Sequence, residues 1–395
     1  MMVPERPSLE RRVLAALDGS AGGGPRIAVV LGGCGSGRTS LLLRLRDLVG
    51  RAQAQYIDVE RIATTPERFL SALRLDSPFP AHAYAPAEPG SAGARDAFDA
   101  ALAFLDTARA SGLAPATFLL DEFLELRTFE SFPGLRSVLR DLVGALASSG
   151  NRFVLTSRYV ARAHRLLRDA PAQFELIHVA PLTAAEVRAT LSDSPGDRHG
   201  VALEEDDDRQ RDELARLVQA LADGRPLYAR LIAETAASLG PRDGADAVSA
   251  LVALLAPGAP LTAACRFSYE LRLHRARGYG ALKAILEVLA DEEPLTLTEI
   301  AQRLHRTPGS TKDYLSWLED VDLIVSRQKR YTFTDPVLRL WVRLHCRPAP
   351  PSEDEVAREV HAYVMARLPH AEPALALAGD EHVEREKSWG IIEID

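Results

Sequence analysis

Between residues 26 and 180 the chain alternates short apolar runs with longer stretches in which apolar residues recur every three to four positions. The runs Ile27–Leu31, Gln55–Val59, Thr117–Leu120, Arg152–Leu155 and Glu175–Val179 are short, mostly apolar and of strand length. Strands of that kind, separated by helical patterns, predict a parallel, doubly wound α/β sheet. A Pro-, Ala- and Gly-rich stretch from Pro78 to Gly93 interrupts the alternation and reads as a surface loop. From 183 to about 257 the pattern is helical throughout, opened by a capping box at Thr183 and Glu186; the acidic run Glu204–Asp208 reads as a solvated loop. A third unit follows at about 279–347. It has helices at Ala281–Ala290, Thr298–His305 and Ser310–Asp320, a turn at Arg306-Thr307-Pro308-Gly309, and strands at Leu323–Val325 and Tyr331–Phe333. A last helix, Ser352–Leu368, precedes a tail from Pro369 to Asp395. Within that tail Trp389–Ile394 is a short apolar run, either a strand for a partner's sheet edge or a tail folded on its own chain. The domain plan is therefore 1–182, 183–257, 258–347 and 348–395, without internal repeats.

Composition narrows the function classes. The 395 residues carry a net charge of −8, so attraction to nucleic acid or to an anionic membrane must be local if it exists. Cys34, Cys265 and Cys346 share no metal-ligand spacing and are odd in number, which points away from zinc and disulfides toward a reducing compartment. The first dozen residues lack the apolar core of a signal peptide and no run reaches membrane-spanning length; a soluble, cytoplasmic protein without membrane contact is expected.

The sharpest chemistry follows the first strand. Gly32-Gly33-Cys34-Gly35-Ser36-Gly37-Arg38-Thr39 fits the phosphate-binding loop G-x-x-x-x-G-K-[ST], except that Arg38 fills the lysine position, and Ser40 continues into a helical run. Strand, glycine loop and helix N-terminus let successive backbone N–H groups wrap a phosphate chain. The chain has 47 Lys+Arg, of which only Lys283, Lys312, Lys329 and Lys387 are lysine. Arg38 is thus either one product of a general drift to arginine, with the site still working, or a change that keeps phosphate affinity and slows turnover. A planar fork does not place a γ-phosphate as a compact ammonium does.

Further along, Phe118-Leu119-Leu120-Asp121-Glu122 is an apolar strand ending in two carboxylates, as in a Walker B motif. Asp121 with the Thr39 hydroxyl suits Mg²⁺, and Glu122 suits the orientation of an attacking water; an acidic cap after a buried strand is the plainer alternative. The strand ending Thr156-Ser157-Arg158 would bring polar groups to the carboxyl edge of the sheet, where Arg158 can neutralise developing charge or merely pair with an acid. Gly224-Arg225-Pro226-Leu227 breaks one helix and starts another, either as an ordinary turn or with Pro226 against a base. No N-K-x-D motif for guanine lies in the sheet region, which favours adenine.

The third unit has the spacing of a winged helix with a basic tip, Arg327-Gln328-Lys329-Arg330. Its recognition helix is not basic, since Asp313, Glu319 and Asp320 outweigh Lys312. DNA contact would rest on Arg327, Lys329 and Arg330; packing on the nucleotide domain as a regulatory arm is the preferred alternative.

The ordered set GGCGSGRT, FLLDE, VLTSR, PLT-x-x-E, GRPL and FTDPVLRLWVR resembles the AAA+/STAND group of P-loop ATPases, and is most similar to its archaeal-type ATPase branch, over residues 8 to 347. The resemblance implies ATP and Mg²⁺ at Gly32–Thr39 and Asp121, a water-activating Glu122, a sensor-like segment Thr156–Arg158, and Gly224-Arg225-Pro226 facing the base. It also implies a nucleotide-driven switch that assembles with a protein partner or with itself. A trans-acting arginine is not assignable by motif; Arg136 and Arg140 are the candidates. Three functions follow: an ATP-dependent switch with slow hydrolysis through Arg38, Asp121, Glu122 and Arg158; a non-hydrolysing scaffold or adaptor; or a winged-helix DNA-binding regulator.

Overall fold

The computed structural model describes residues 6–19, 26–80, 93–192, 205–239, 246–274 and 278–368. Five parallel strands form the main sheet: β1 (Ile27–Leu31), β2 (Ala54–Asp58), β3 (Thr117–Asp121), β4 (Arg152–Ser157) and β5 (Phe174–His178), in the order β2-β3-β4-β1-β5. The period of two explains how both faces are covered. Ala28, Val30, Leu119 and Val154 meet α1 (Pro7–Asp18) and α2 (Arg38–Val49), whereas Val29, Leu31, Phe118, Leu120 and Phe153 join the larger core with α4 (Pro66–Leu75), α5 (Ala94–Thr107) and α6 (Val138–Ser148). Phe118 and Phe153 stack at 5.6 Å between adjacent strands. The doubly wound α/β sheet is borne out.

Several boundaries differ from expectation. β2 stops at Asp58, whose side chain accepts from Arg61 N–H and turns the chain into the short helix α3 (Val59–Ile62). β3 and β4 run on to Asp121 and Ser157, so the polar residues at their ends are themselves strand residues. The acidic run is not a loop: α9 (Glu205–Leu221) begins within it, where carboxylates favour the positive end of the helix dipole. Glu204, residues 81–92 of the Pro-rich stretch and the tail with Trp389–Ile394 lie outside the described residues.

The helical region comprises α8 (Ala184–Ser192), α9, α10 (Pro226–Leu239), α11 (Asp246–Leu255) and α12 (Pro260–His274). The capping box is present, with Glu186 accepting from Thr183 N–H at 2.8 Å and Thr183 Oγ1 from Glu186 N–H at 3.2 Å. The winged helix follows as α13 (Tyr279–Asp291), β6 (Leu295–Thr296), α14 (Leu297–Arg303), α15 (Pro308–Asp320), β7 (Ile324–Arg327) and β8 (Arg330–Phe333). Thr307 caps α15, so Pro308 and Gly309 belong to its first turn rather than to the loop before it. Arg327 and Arg330 pair across the hairpin, which narrows the wing tip to Gln328 and Lys329, both at positive φ. The chain then forms α16 (Pro336–His345) and α17 (Glu353–Arg367). No single helix among the described residues is long and apolar enough to cross a membrane.

The winged helix is seated on the α/β domain. Arg165 of α7 (Val160–Leu167) pairs with Asp320, Ala161 N–H donates to Asp322 Oδ1 at 3.4 Å, and Arg272 of α12 donates to the Asp322 carbonyl at 2.8 Å.

Candidate nucleotide site

The carboxyl ends of β1, β3 and β4 and the N-terminus of α2 converge on one edge of the sheet. Gly35 and Gly37 hold φ of +75° and +86°, conformations that a side chain disfavours, and they turn the loop into α2. Thr39 Oγ1 donates to Asp121 Oδ2 at 2.6 Å, and Tyr56 Oη donates to the same oxygen at 2.9 Å. Thr156 Oγ1 donates to Asp121 Oδ1 and accepts from Glu122 N–H at 3.1 Å. Asp121 therefore stands among three hydroxyls, and burial with the adjacent carboxylate pushes the Tyr56 phenol well above its ordinary value.

Glu122 sits at φ +55°, an uncommon conformation for a residue with a side chain. Two guanidiniums hold it. Arg38 Nη2 donates to Oε1 at 2.5 Å while Arg38 Nη1 donates to the Gly33 carbonyl at 3.0 Å. Arg158 contributes its backbone N–H to Oε2 at 3.0 Å and its Nε lies 3.1 Å from Oε1, and it pairs in turn with Glu60. Burial works against the Arg158 cation, yet Glu122 and Glu60 outweigh it and raise the pKa. The four charges alternate along one chain, Arg38–Glu122–Arg158–Glu60.

The helical region from 183 to 257 acts as a lid and touches the loop directly. Arg225 Nη1 donates to the Cys34 carbonyl at 3.1 Å, and Leu227 N–H donates to the Gly35 carbonyl at 3.2 Å. A Cβ on Gly33 would come within 2.7 Å of Arg225 Nη1, which explains the glycine there. Arg225 also donates to the Thr334 carbonyl at 2.9 Å and lies 3.5 Å from Asp335. Asp335 accepts from Tyr228 at 2.8 Å and caps α16 through Val337 and Leu338 N–H. The motif FTDPVLRLW thus ties lid, loop and winged helix together.

A cavity of about 270 Å³ opens between Gly35–Ser40 and Pro226, Leu227 and Arg230. A smaller one lies across the loop between α1, Val179, Ser40 and Pro226. The residues suit a nucleotide: Ser36 Oγ and Arg38 Nε are buried without hydrogen-bond partners among the described residues. They suit Mg²⁺ as well, because one hydroxyl and one carboxylate are hard oxygen donors, and no cluster of three or more metal-ligating side chains is present among the described residues. Around Cys34, burial opposes ionisation, but Arg272, Arg158, a hydrogen bond from Ser268 and Arg38 together lower the thiol pKa.

Of the expected residues, Gly32–Ser40, Asp121, Glu122, Thr156, Arg158 and Pro226 are brought together. Arg136 and Arg140 are exposed and stand apart; Arg140 lines a separate groove. Tyr56, Glu60, Arg230 and Asp335 escaped sequence reasoning, since only the register of β2 beside β3, Asp58 opposite Asp121, puts the first two near the site.

A family model described as winged helix-turn-helix DNA-binding matches residues 281–325. Among solved structures, the Walker-type ATPase of Pyrococcus abyssi is similar with a TM-score of 0.61 at 19% identity, covering 86% of this chain and 96% of that one. The Aeropyrum pernix ORC2 protein in its ADP form gives 0.47 at 15% identity, covering 92% and 95%. The ORC1 protein of the same organism, in complex with DNA, gives 0.43 at 18% identity, covering 90% and 94%. No curated protein matches. The chain has the P-loop fold seen in the archaeal Walker-type ATPase, followed by a winged helix-turn-helix unit.

Proposed function

We propose that the protein is an ATP-binding, Mg²⁺-dependent switch that hydrolyses ATP slowly and couples nucleotide occupancy to the seating of its winged helix. The observation that carries this is the bridge made by Arg225, which binds the phosphate loop at Cys34 and the winged helix at Thr334 and Asp335. Backbone N–H groups of the loop and the N-terminus of α2 would take the phosphates, with Pro226 beside the base. Thr39 and Asp121 would hold Mg²⁺, which neutralises phosphate charge. Glu122 would orient the attacking water and accept its proton once Arg38 turns from it to the phosphates, and Arg158 would balance the charge that develops. Three free thiols suit a reducing, cytoplasmic setting.

The test is Glu122→Ala. Calorimetry should give Mg²⁺-ATP affinity within a few-fold of the wild type, while phosphate release falls to background. Release at the wild-type rate would remove Glu122 from the mechanism, and a wild type that binds no ATP would overturn the proposal as a whole. A second reading, nucleic-acid contact by the winged helix, draws on the exposed Arg327, Lys329 and Arg330 and on the description of the matching family model. The partner of the switch would then be duplex DNA.

A further inference from the structure

A further cavity lies apart from the candidate nucleotide site. It is an open groove of about 760 Å³ between the segment after β3, α6 and α7. Arg127, Arg140, Arg162 and Arg165 line it, against the carboxylates of Glu130 and Asp169. Four of its twelve lining residues are arginine, in a chain whose net charge is −8. Two of the four are already committed, Arg127 to Glu130 at 3.2 Å and Arg165 to Asp320 of the winged helix.

Arg140 and Arg162 have no ion pair and no side-chain hydrogen bond among the described residues. Arg162 lies over the Tyr159 ring at 5.0 Å, and its Nε is buried without a partner. Burial, then the like charge of Arg127, lowers its pKa, against Tyr159, Asp320 and Glu125, which raise it. Arg140 is exposed and Arg162 half-buried, so a polyanion can reach both guanidiniums without breaking an ion pair.

Leu139 and Val143 are turned into the core, while Leu166, Ala170 and Pro171 leave some apolar surface beside the arginines. The charge comes from two uncommitted planar forks, Arg140 on α6 and Arg162 on α7, and such forks grip phosphate oxygens in pairs. We infer that this groove binds the phosphodiester backbone of a nucleic acid. The inference extends the nucleic-acid reading to a surface other than the wing, and assigns Arg140 to this ligand rather than to a neighbouring subunit's nucleotide.

The experiment is anisotropy of a labelled 20-mer duplex with the full chain across a salt series. Three variants are compared: Arg140→Glu/Arg162→Glu, Arg140→Glu alone, and Arg327→Glu/Lys329→Glu. The groove double variant should weaken binding at least about tenfold and lower the slope of log K against log salt by about 2, one unit per lost phosphate contact. Arg140→Glu sits on an exposed position of α6, keeps the fold, and should lose about half of that slope. If only the wing variant weakens binding, the groove assignment falls and the wing reading survives; if only the groove variants do, the reverse holds. Wild-type affinity and slope in both groove variants would overturn the inference, as would a wild type that binds no duplex. So would displacement of the duplex by micromolar inorganic tripolyphosphate in the groove-intact protein alone, which would make the natural ligand a free polyphosphate.

Discussion

Asp335 is the carboxylate on which the seating of the winged helix most depends, and its removal has a cost that can be worked out contact by contact. Its side chain is 1% exposed. Asp335→Ala removes the acceptor for Val337 and Leu338 N–H, at 3.1 and 3.0 Å, and the loss of a helix cap costs about 1 kcal/mol. It leaves the fully buried Tyr228 hydroxyl without its acceptor, about 1–3 kcal/mol more. Arg225 keeps its bonds to the Cys34 and Thr334 carbonyls but loses the charge that raises its pKa against burial. Breaking one side of such a pair costs about 3 kcal/mol at the low end of the known range. The expected total is about 5–7 kcal/mol, read by urea unfolding followed through tryptophan fluorescence, since Trp341 is buried in α16. Adding Arg225→Met should recover about 1–3 kcal/mol, because no unpaired cation then remains. A cost below about 1 kcal/mol, or strict additivity of the two substitutions, would refute the hub that lid, loop and winged helix share.

Arg38→Lys replaces a fork with a point charge and frees Glu122 from one of its two cations. Phosphate release should rise by about tenfold, the kinetic equivalent of one charge-assisted hydrogen bond, and no gain in rate would count against Arg38 as the mark of a non-hydrolysing scaffold. The Asp322 carboxyl is pushed up to about 6 by burial, against hydrogen bonds from Ala161 and Val160 N–H and the nearby Arg272 and Arg162. The unfolded chain ionises near its ordinary value of 3.8 and the folded chain only near 6, so the folded state binds the extra proton between them. Stability should therefore fall as pH rises from about 4 to 6 and stay lower above that, by up to about 3 kcal/mol. Asp322→Asn should remove this slope in urea titrations at pH 4.5 and 7.5; an equal slope in both proteins would exclude Asp322 as its source.

The sheet was legible because its central strands β1, β3 and β4 are apolar on both faces, and the loop and the Asp121-Glu122 pair because their chemistry demands particular residues at particular spacings. What stayed hidden depends on register and on long-range contact. Tyr56 reads as an ordinary strand aromatic until β2 is laid beside β3, and Glu60 as a helix-start acid until Arg158 is placed opposite. The acidic run reads wrongly as a loop because consecutive carboxylates suit either a loop or the first turn of a helix, and local composition does not separate them. Arg225 draws notice as part of a turn, but its partner Asp335 lies 110 residues away and on another domain, beyond any periodic signal.

The surplus of arginine over lysine leaves open whether Arg38 is a passive stand-in, and the geometry of its side chain bears on that question. Its two terminal nitrogens go to different acceptors, one to the loop's own Gly33 carbonyl and one to Glu122. The fork is therefore in use, and it joins the phosphate loop to the carboxylate that would handle water. Phosphates entering the loop compete with Glu122 for the same guanidinium. Glu122 would then be left to Arg158 alone, whose grip comes partly from a backbone N–H at the end of β4 and whose charge is shared with Glu60. On the proposed function, nucleotide binding and release of Glu122 would be a single event. A lysine at position 38 would loosen that coupling, because a point charge cannot bridge the Gly33 carbonyl and Glu122 as the fork does.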